Sequence, residues 1–262
     1  MISAIPDILS RVVESKREAL ARGPLPVAEW ERRVAEQVGS RRDFRAALLG
    51  RTPAIIAEMK KASPSKGVLA ENFEPRGIAQ AYQRGGAAAL SVLTDEPFFQ
   101  GKLADLETAR AAVGIPVLRK DFTIVAEHVL EAAAHGADAV LLIAAILTER
   151  ELRDFREAAA RYRMAALVEV HDGGELERAI AAGSQIIGVN NRDLRSFQVS
   201  LDTSLRLAER MPAGVVRVSE SGIHTAADVR KLREAGYAAF LVGERLMKAA
   251  DPAAALAELV TS

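Results

Sequence analysis

At 262 residues, 49% hydrophobic and 27% charged, the chain has the makeup of a globular domain and can bury a large core without covalent staples. Its 35 basic and 35 acidic residues cancel, which excludes nucleic-acid binding through a broad basic surface but not a local site for a small anion. Cysteine is absent, which excludes disulfides, thiolate chemistry and Cys-ligated metal.

Residues 1–48 read as helical, with Ile5, Ile8, Leu9, Val12 and Val13 as an apolar stripe and charges of both signs opposite. That mixture favours a packed extension over a membrane-surface helix. Early acidic residues argue against a secretory signal, and no run approaches the ~18 apolar residues of a membrane span. The expectation is a soluble, cytoplasmic protein.

From residue 49 onward β-like and helical runs alternate. The predicted strands are AIIAEMK (54–60), AALSVLT (88–94), PVLRKD (116–121), AVLLIAAI (139–146), AALVEV (165–170), IIGVNN (186–191), VVRVSES (215–221) and AFLVGE (239–244). Helix-forming stretches such as LADLETARAAVG and TERELRDFREAAARYR lie between them. The alternation implies parallel strands joined by right-handed crossovers. Eight units imply an α/β fold, a closed (β/α)8 TIM barrel: one domain over 1–262, with 1–48 as a helical extension and 49–262 as the barrel. Gly86, Gly136, Gly183 and Gly236 stand as helix terminators before the even strands, at spacings of roughly 50 residues that suit pairs of βα units.

The odd strands carry Lys60, Lys120, Glu169 and Glu220 at their C-terminal ends, and Glu58 shares the face of Lys60 by the period-two rule. Alternate strands fill each interior layer of such a barrel, so these five groups are expected to converge at its mouth. Burying an unpaired charge costs roughly several kcal/mol, so each lysine is expected to have a carboxylate within reach. A lysine desolvated or near another cation loses basicity and can serve as a general acid. Lysine can also form a Schiff base, and the pattern leaves both uses open.

Two stretches suggest a phosphate. In VSESGIHTAADV, Ser219, Ser221 and Gly222 end strand 7 and Thr225 can cap a helix; in FLVGERLM, Gly243 ends strand 8 just before another. The loops after strands 7 and 8 are the frequent phosphate site of barrels. Ser63 and Ser65 can add hydroxyl donors from the loop after strand 1. Asn190 and Arg192 end strand 6 as orienting groups for a carboxylate or hydroxyls, and Phe98, Phe99 and Phe122 lie in loops where an aromatic substrate can stack. The four histidines, His128, His135, His171 and His224, lack paired ligand spacing, so no metal is expected, and His171 reads as structural or peripheral. No GxGxxG or P-loop motif supports nucleotide binding.

Taken in order, AEMKKASPSKG, SVLTDEPFFQG, VLRKDF, LVEVH, IGVNNRDL, VSESGI and LVGERLMK resemble the indole-3-glycerol phosphate synthase family, from about residue 5 to 250. The resemblance implies a cofactor-free carboxy-lyase of tryptophan biosynthesis. Its substrate would be 1-(2-carboxyphenylamino)-1-deoxyribulose 5-phosphate, closed to an indole ring with loss of CO2 and water. It makes Lys120 the general acid, Glu169 the general base or iminium stabiliser, and Lys60 the partner of the substrate carboxylate. Glu58 and Asn190 become positioning groups, and Arg192 and Glu220 further active-site positions. Ser63, Ser221, Gly222 and Gly243 fall on the phosphate site, Phe99 and Phe122 beside the anthranilate ring, and the N-terminal helix over the barrel. Glu244 departs from the small hydroxyl residue of many relatives, so its carboxylate is expected to turn away while its N–H donates. A phosphoribosylanthranilate isomerase is the rival enzyme, disfavoured because cysteine is absent. A silent binding barrel is disfavoured by Lys60, Lys120 and Glu169. A phosphorylated small molecule is the expected partner, with no nucleic acid or membrane, and the chain is expected to be a monomer.

Overall fold

The structure, a computed structural model, describes residues 7–64 and 66–261; Ile5 and Ser65 lie outside the described residues. Among the described residues, three α-helices precede the barrel: α1 (Asp7–Ala21), α2 (Val27–Gln37) and α3 (Phe44–Leu49). Gly23, Pro24 and Pro26 separate α1 from α2, since proline cannot continue a helix and glycine is costly inside one. The Asp43 side chain caps α3 by accepting from the Ala46 N–H.

Eight parallel strands follow: β1 (Ala54–Met59), β2 (Ala89–Leu93), β3 (Val117–Lys120), β4 (Ala139–Ile143), β5 (Ala165–Val170), β6 (Ile186–Asn190), β7 (Val216–Glu220) and β8 (Ala239–Val242). They pair in sequence order, and β1 closes the ring by pairing with β2 (Ile56 opposite Ala89) and β8 (Ala54 opposite Ala239). This is the (β/α)8 barrel that the strand–helix alternation predicts. Gly86, Gly136, Gly183 and Gly236 take φ of 94°, 86°, 77° and 89°, left-handed values that end a helix and turn the chain into an even strand.

Side-chain alternation sorts the core into two layers. Ile55, Ala57, Leu90, Val92, Val140 and Leu142 pack outward against the helices. Ala54, Ile56, Leu118, Leu141, Leu167, Val218 and Leu241 fill the barrel, with Phe44 and Leu48 of α3 beside Ala54 at its N-terminal end and Leu9 of α1 in the same cluster. Two residues beyond Ile56, Leu118, Leu167 and Val218 come Glu58, Lys120, Glu169 and Glu220, which therefore share the interior face.

Strand 4 is shorter than the sequence suggests. β4 stops at Ile143, and Ala144–Ile146 leaves as a buried turn closed by the Ile146 N–H on the Ile143 carbonyl. An apolar run does not separate a buried turn from a strand. Strand 8 likewise ends at Val242, and Glu244 opens a four-residue helix, Glu244–Met247. After β1, residues Ala62–Ser63 and Gly67–Val68 pair as a small antiparallel hairpin beside the mouth. No helix among the described residues is long and apolar enough to cross a membrane.

Candidate active site

The C-terminal mouth opens into a cavity of about 520 Å³ lined by all five ionisable groups, Asn190, Arg192, Phe99, Phe122, Ser63, Ser221, Gly222, Gly243 and Glu244; Ser219, Phe98 and Thr225 do not line it. Its floor is the ionisable layer. Lys60 Nζ lies 2.6 Å from Glu58 Oε1. Lys120 Nζ lies 2.6 Å from Glu169 Oε2 and 3.4 Å from Glu220 Oε2. Asn190 donates from Nδ2 to Glu169 Oε1 at 3.2 Å, and its Oδ1 accepts from the Arg192 N–H at 3.0 Å, so one amide ties the carboxylate to the following loop.

The electrostatics of this layer correct the expectation of a weakly basic lysine. Burial alone would lower Lys120, but Glu169, Glu220 and Glu58 overcome it and hold the ammonium above the ordinary lysine range. Burial alone would raise Glu169, but Lys120 and His171 hold it well below the carboxylate range. Glu220 goes the other way: burial pushes it up, Lys120 opposes, and Glu169 and Glu58 push it further. Its Oε1 is buried without a hydrogen-bond partner. The resting layer thus holds a charged Lys120–Glu169 pair beside a carboxyl that favours its proton.

Two glycines make this packing possible. A Cβ at Gly243 would come 2.5 Å from Glu58 Oε1, so this glycine makes room for the carboxylate of β1 as well as for a ligand. A Cβ at Gly188, on the inward face of β6, would overlap Glu220 Oε1. The sequence reading missed Gly188, although its place two residues before Asn190 marks it as inward-facing.

One wall is aromatic. Phe99 and Phe122 face each other with centroids 6.0 Å apart and planes tilted by 35°. Phe98 turns away to lie under the Arg11 guanidinium, 5.9 Å from its ring centroid. Ile8, Leu9 and Val12 of α1 complete this side of the cavity. Lys16, one turn further along α1 and also missed, lies 2.6 Å from Asp121 and 3.2 Å from Asp95 and ties the helix to the loops after β2 and β3. Its i+4 spacing from Val12 is the signal that places it on the packed face.

The same cavity is also lined by Ser63, Arg192, Ser221, Gly222, Gly243 and Glu244. Ser221 and Gly222 take successive left-handed φ values of 66° and 78°, a costly conformation for serine of the kind found at functional sites. A Cβ at Gly222 would also come 2.5 Å from Val199 Cγ1. Thr225 caps the helix Ala226–Glu234 as expected, but in a reciprocal box with Asp228, whose carboxylate accepts from the His224 and Thr225 N–H groups. That helix end is satisfied within the chain, and the cavity wall here is the Ser221–Gly222 loop.

The sequence reading turns the Glu244 carboxylate away from the mouth. In the structure it stays at the cavity wall, 2.7 Å from Lys248, 3.4 Å from Lys66 and 3.9 Å from Arg192. Lys248, and after it Lys66, hold it below the ordinary glutamate range against its modest burial.

Together the fold and the site define a (β/α)8-barrel enzyme with paired lysines and glutamates at its C-terminal mouth. A family model described as indole-3-glycerol phosphate synthase matches residues 9–259. An indole-3-glycerol phosphate synthase of Albidiferax ferrireducens is 52% identical over 263 residues, covering 97% of this chain and 98% of that protein. That of Koribacter versatilis is 49% identical over 257 residues, covering 96% and 98%. Among solved structures, thiamine phosphate pyrophosphorylase from Pyrococcus furiosus has the same fold, with a TM-score of 0.59 and 18% identity over 80% of this chain and 95% of its own. The chain belongs to the indole-3-glycerol phosphate synthase family.

Proposed function

We propose that the chain converts 1-(2-carboxyphenylamino)-1-deoxyribulose 5-phosphate to indole-3-glycerol phosphate by acid–base catalysis at this mouth. Members of the family are carboxy-lyases that act on a phosphorylated small molecule. The observation that carries the proposal is the Lys120–Glu169 pair, 2.6 Å apart, in a cavity also lined by the Phe99–Phe122 pair, by cations and by the Ser221–Gly222 loop.

In this reading the anthranilate ring packs against Phe99 and Phe122, and its carboxylate pairs with Lys60, which Glu58 positions. The phosphate sits among Ser63, Ser221, Gly222, Gly243 and the Glu244 N–H, with Arg192 beside it. Lys120 gives its proton to the ribulose carbonyl oxygen as the aromatic carbon attacks C2. The new ring then carries an iminium, whose charge Glu169 faces while Asn190 holds that carboxylate. Loss of CO2 returns the electrons to the ring. Departure of the C2 hydroxyl as water, with Lys60 as proton donor, and loss of a C1 proton to Glu169 as base complete the indole. Lys120 enters the first step protonated, held so chiefly by Glu169, and Glu220 beside it is a buried carboxyl that favours its proton.

The reading includes a monomer working in the cytoplasm and a single domain. The single domain has the support that α1 and the barrel build one cavity. The test is direct: add synthetic substrate to chelator-treated protein and follow indole fluorescence. Metal-independent product is the expected result. Substrate that binds without turnover would overturn the acid–base roles, and absence of binding would overturn the substrate.

A further inference from the structure

His171 is a buried, titratable group at the mouth to which the proposed chemistry gives no task. It follows β5 directly, and its ring lies between two carboxylates. Nδ1 is 3.0 Å from Glu175 Oε2, and the His171 backbone N–H donates to that same oxygen at 2.8 Å. Nε2, buried and without an aligned hydrogen-bond acceptor, is 3.3 Å from Glu169 Oε1. Glu175 is itself buried and fixed in the first turn of the helix Gly173–Ala181, where its N–H donates to the capping Asp172 at 2.8 Å.

We propose that His171, locked as an imidazolium by Glu175, is a positioning residue whose fixed charge keeps Glu169 ionised and aimed while the Lys120 proton moves. The inference rests on the acid–base reading of the site. Lys120 and His171 address different oxygens of Glu169, Oε2 and Oε1. When Lys120 gives its proton to the substrate its charge disappears, and a buried carboxylate left alone would take a proton itself. The His171 charge does not travel, because both of its ring nitrogens face carboxylates. Glu169 therefore remains an anion at the moment a cation develops on the substrate.

The surroundings agree. Glu169 is faced by Lys120 from β3, Glu220 from β7, Asn190 from β6 and His171 from its own strand's end. His171 is faced by Glu169 and Glu175, and a polar cavity of about 450 Å³ beside it brings Asp172, Asp193, Arg192, Arg195 and Arg206 to the same side of the barrel. Burial alone would lower His171, but Glu169 and Glu175 raise it to about 10.

The experiment is a nitrogen-15 NMR titration of the histidine rings in the full-length protein, paired with pH–rate profiles. His171 is expected to stay doubly protonated through pH 8, and Glu175→Gln to lower its pKa by at least a unit, roughly the effect of one neighbouring charge. His171→Asn is expected to lower kcat with little change in KM and to move the acidic limb of the kcat profile upward by about 1–3 units. His171→Arg, which restores a cation, is expected to return that limb toward wild type. A neutral His171 ring at pH 7.5 in the folded wild-type protein overturns the inference, whether or not the variants fold. So does a His171→Asn profile that differs from wild type only in height. Wild-type protein without turnover overturns the acid–base reading instead, and the titration separates the two failures.

Discussion

Lys120 shows how a neighbourhood of charges decides what one side chain does. The sequence gives a lysine at a strand end, where desolvation would weaken its hold on a proton. Three carboxylates reverse that outcome, and they come from β1, β5 and β7, so no local stretch contains the answer. Gly243 carries the same lesson: it reads as a glycine for approach to an anion, and it also clears space for Glu58, 185 positions earlier in the chain. Glu244 is where this chain departs from the pattern of its relatives. Its carboxylate occupies cations at the end of the cavity assigned to the phosphate, so a phosphate must share Lys66 and Arg192 with it. Glu244→Ser is expected to lower KM about fivefold, equivalent to removing about 1 kcal/mol of like-charge repulsion in a partly solvated site. Steady-state kinetics at low and high salt check it, with the gain shrinking as salt rises.

At the scale of the element, the strands were legible because apolar runs bounded by glycine and polar turns leave few alternatives, and the period-two rule carried that reading through to the inward-facing charges. Where legibility failed, as at Ala144–Ile146, burial continued past the end of the hydrogen-bonded ladder and hydrophobicity had no way to report it. The N-terminal helix was legible as a packed amphipathic extension, but its attachment was not. Lys16 reaches across to Asp121 and Asp95, residues more than seventy positions away, and so holds the apolar face of α1 as a wall of the cavity. Asp121 keeps Arg119 as a second partner at 3.1 Å. Lys16→Met should therefore leave a folded protein, less stable by about 1–3 kcal/mol because two buried carboxylates, Asp121 and Asp95, each lose a charged partner. Its KM should rise more than its kcat falls. Thermal melting and steady-state kinetics measure the two effects, and an unchanged KM would mean that α1 is held by its apolar contacts alone.

Across the whole molecule the positive and negative charges cancel, yet the mouth concentrates ionisable groups whose protonation differs from that of the unfolded chain. Glu169 and Asp121 are held below their ordinary values of 4.5 and 3.8, so the stability they contribute is present above those values and is lost as acid protonates them. His171 is raised from 6.5 to about 10, so its contribution is complete below pH 6.5 and disappears as pH rises toward 10. Glu220 is raised from 4.5 to about 8, so its contribution is complete below pH 4.5 and is lost as pH rises through 8. The melting temperature should therefore be highest near pH 4.5 and decline on both sides; a profile flat from pH 8 to 10 would mean that His171 is not charged in the folded state. Eight strands from one repeating unit bring these groups together, and the chemistry assigned to them turns on one proton. The most direct measurement is turnover of carboxyphenylamino-deoxyribulose phosphate by Lys120→Ala, with circular dichroism and melting to establish that the variant is folded. Loss of the general acid should reduce kcat by roughly 10²–10⁴-fold with the substrate still bound. A folded Lys120→Ala protein that turns over at the wild-type rate would contradict the account.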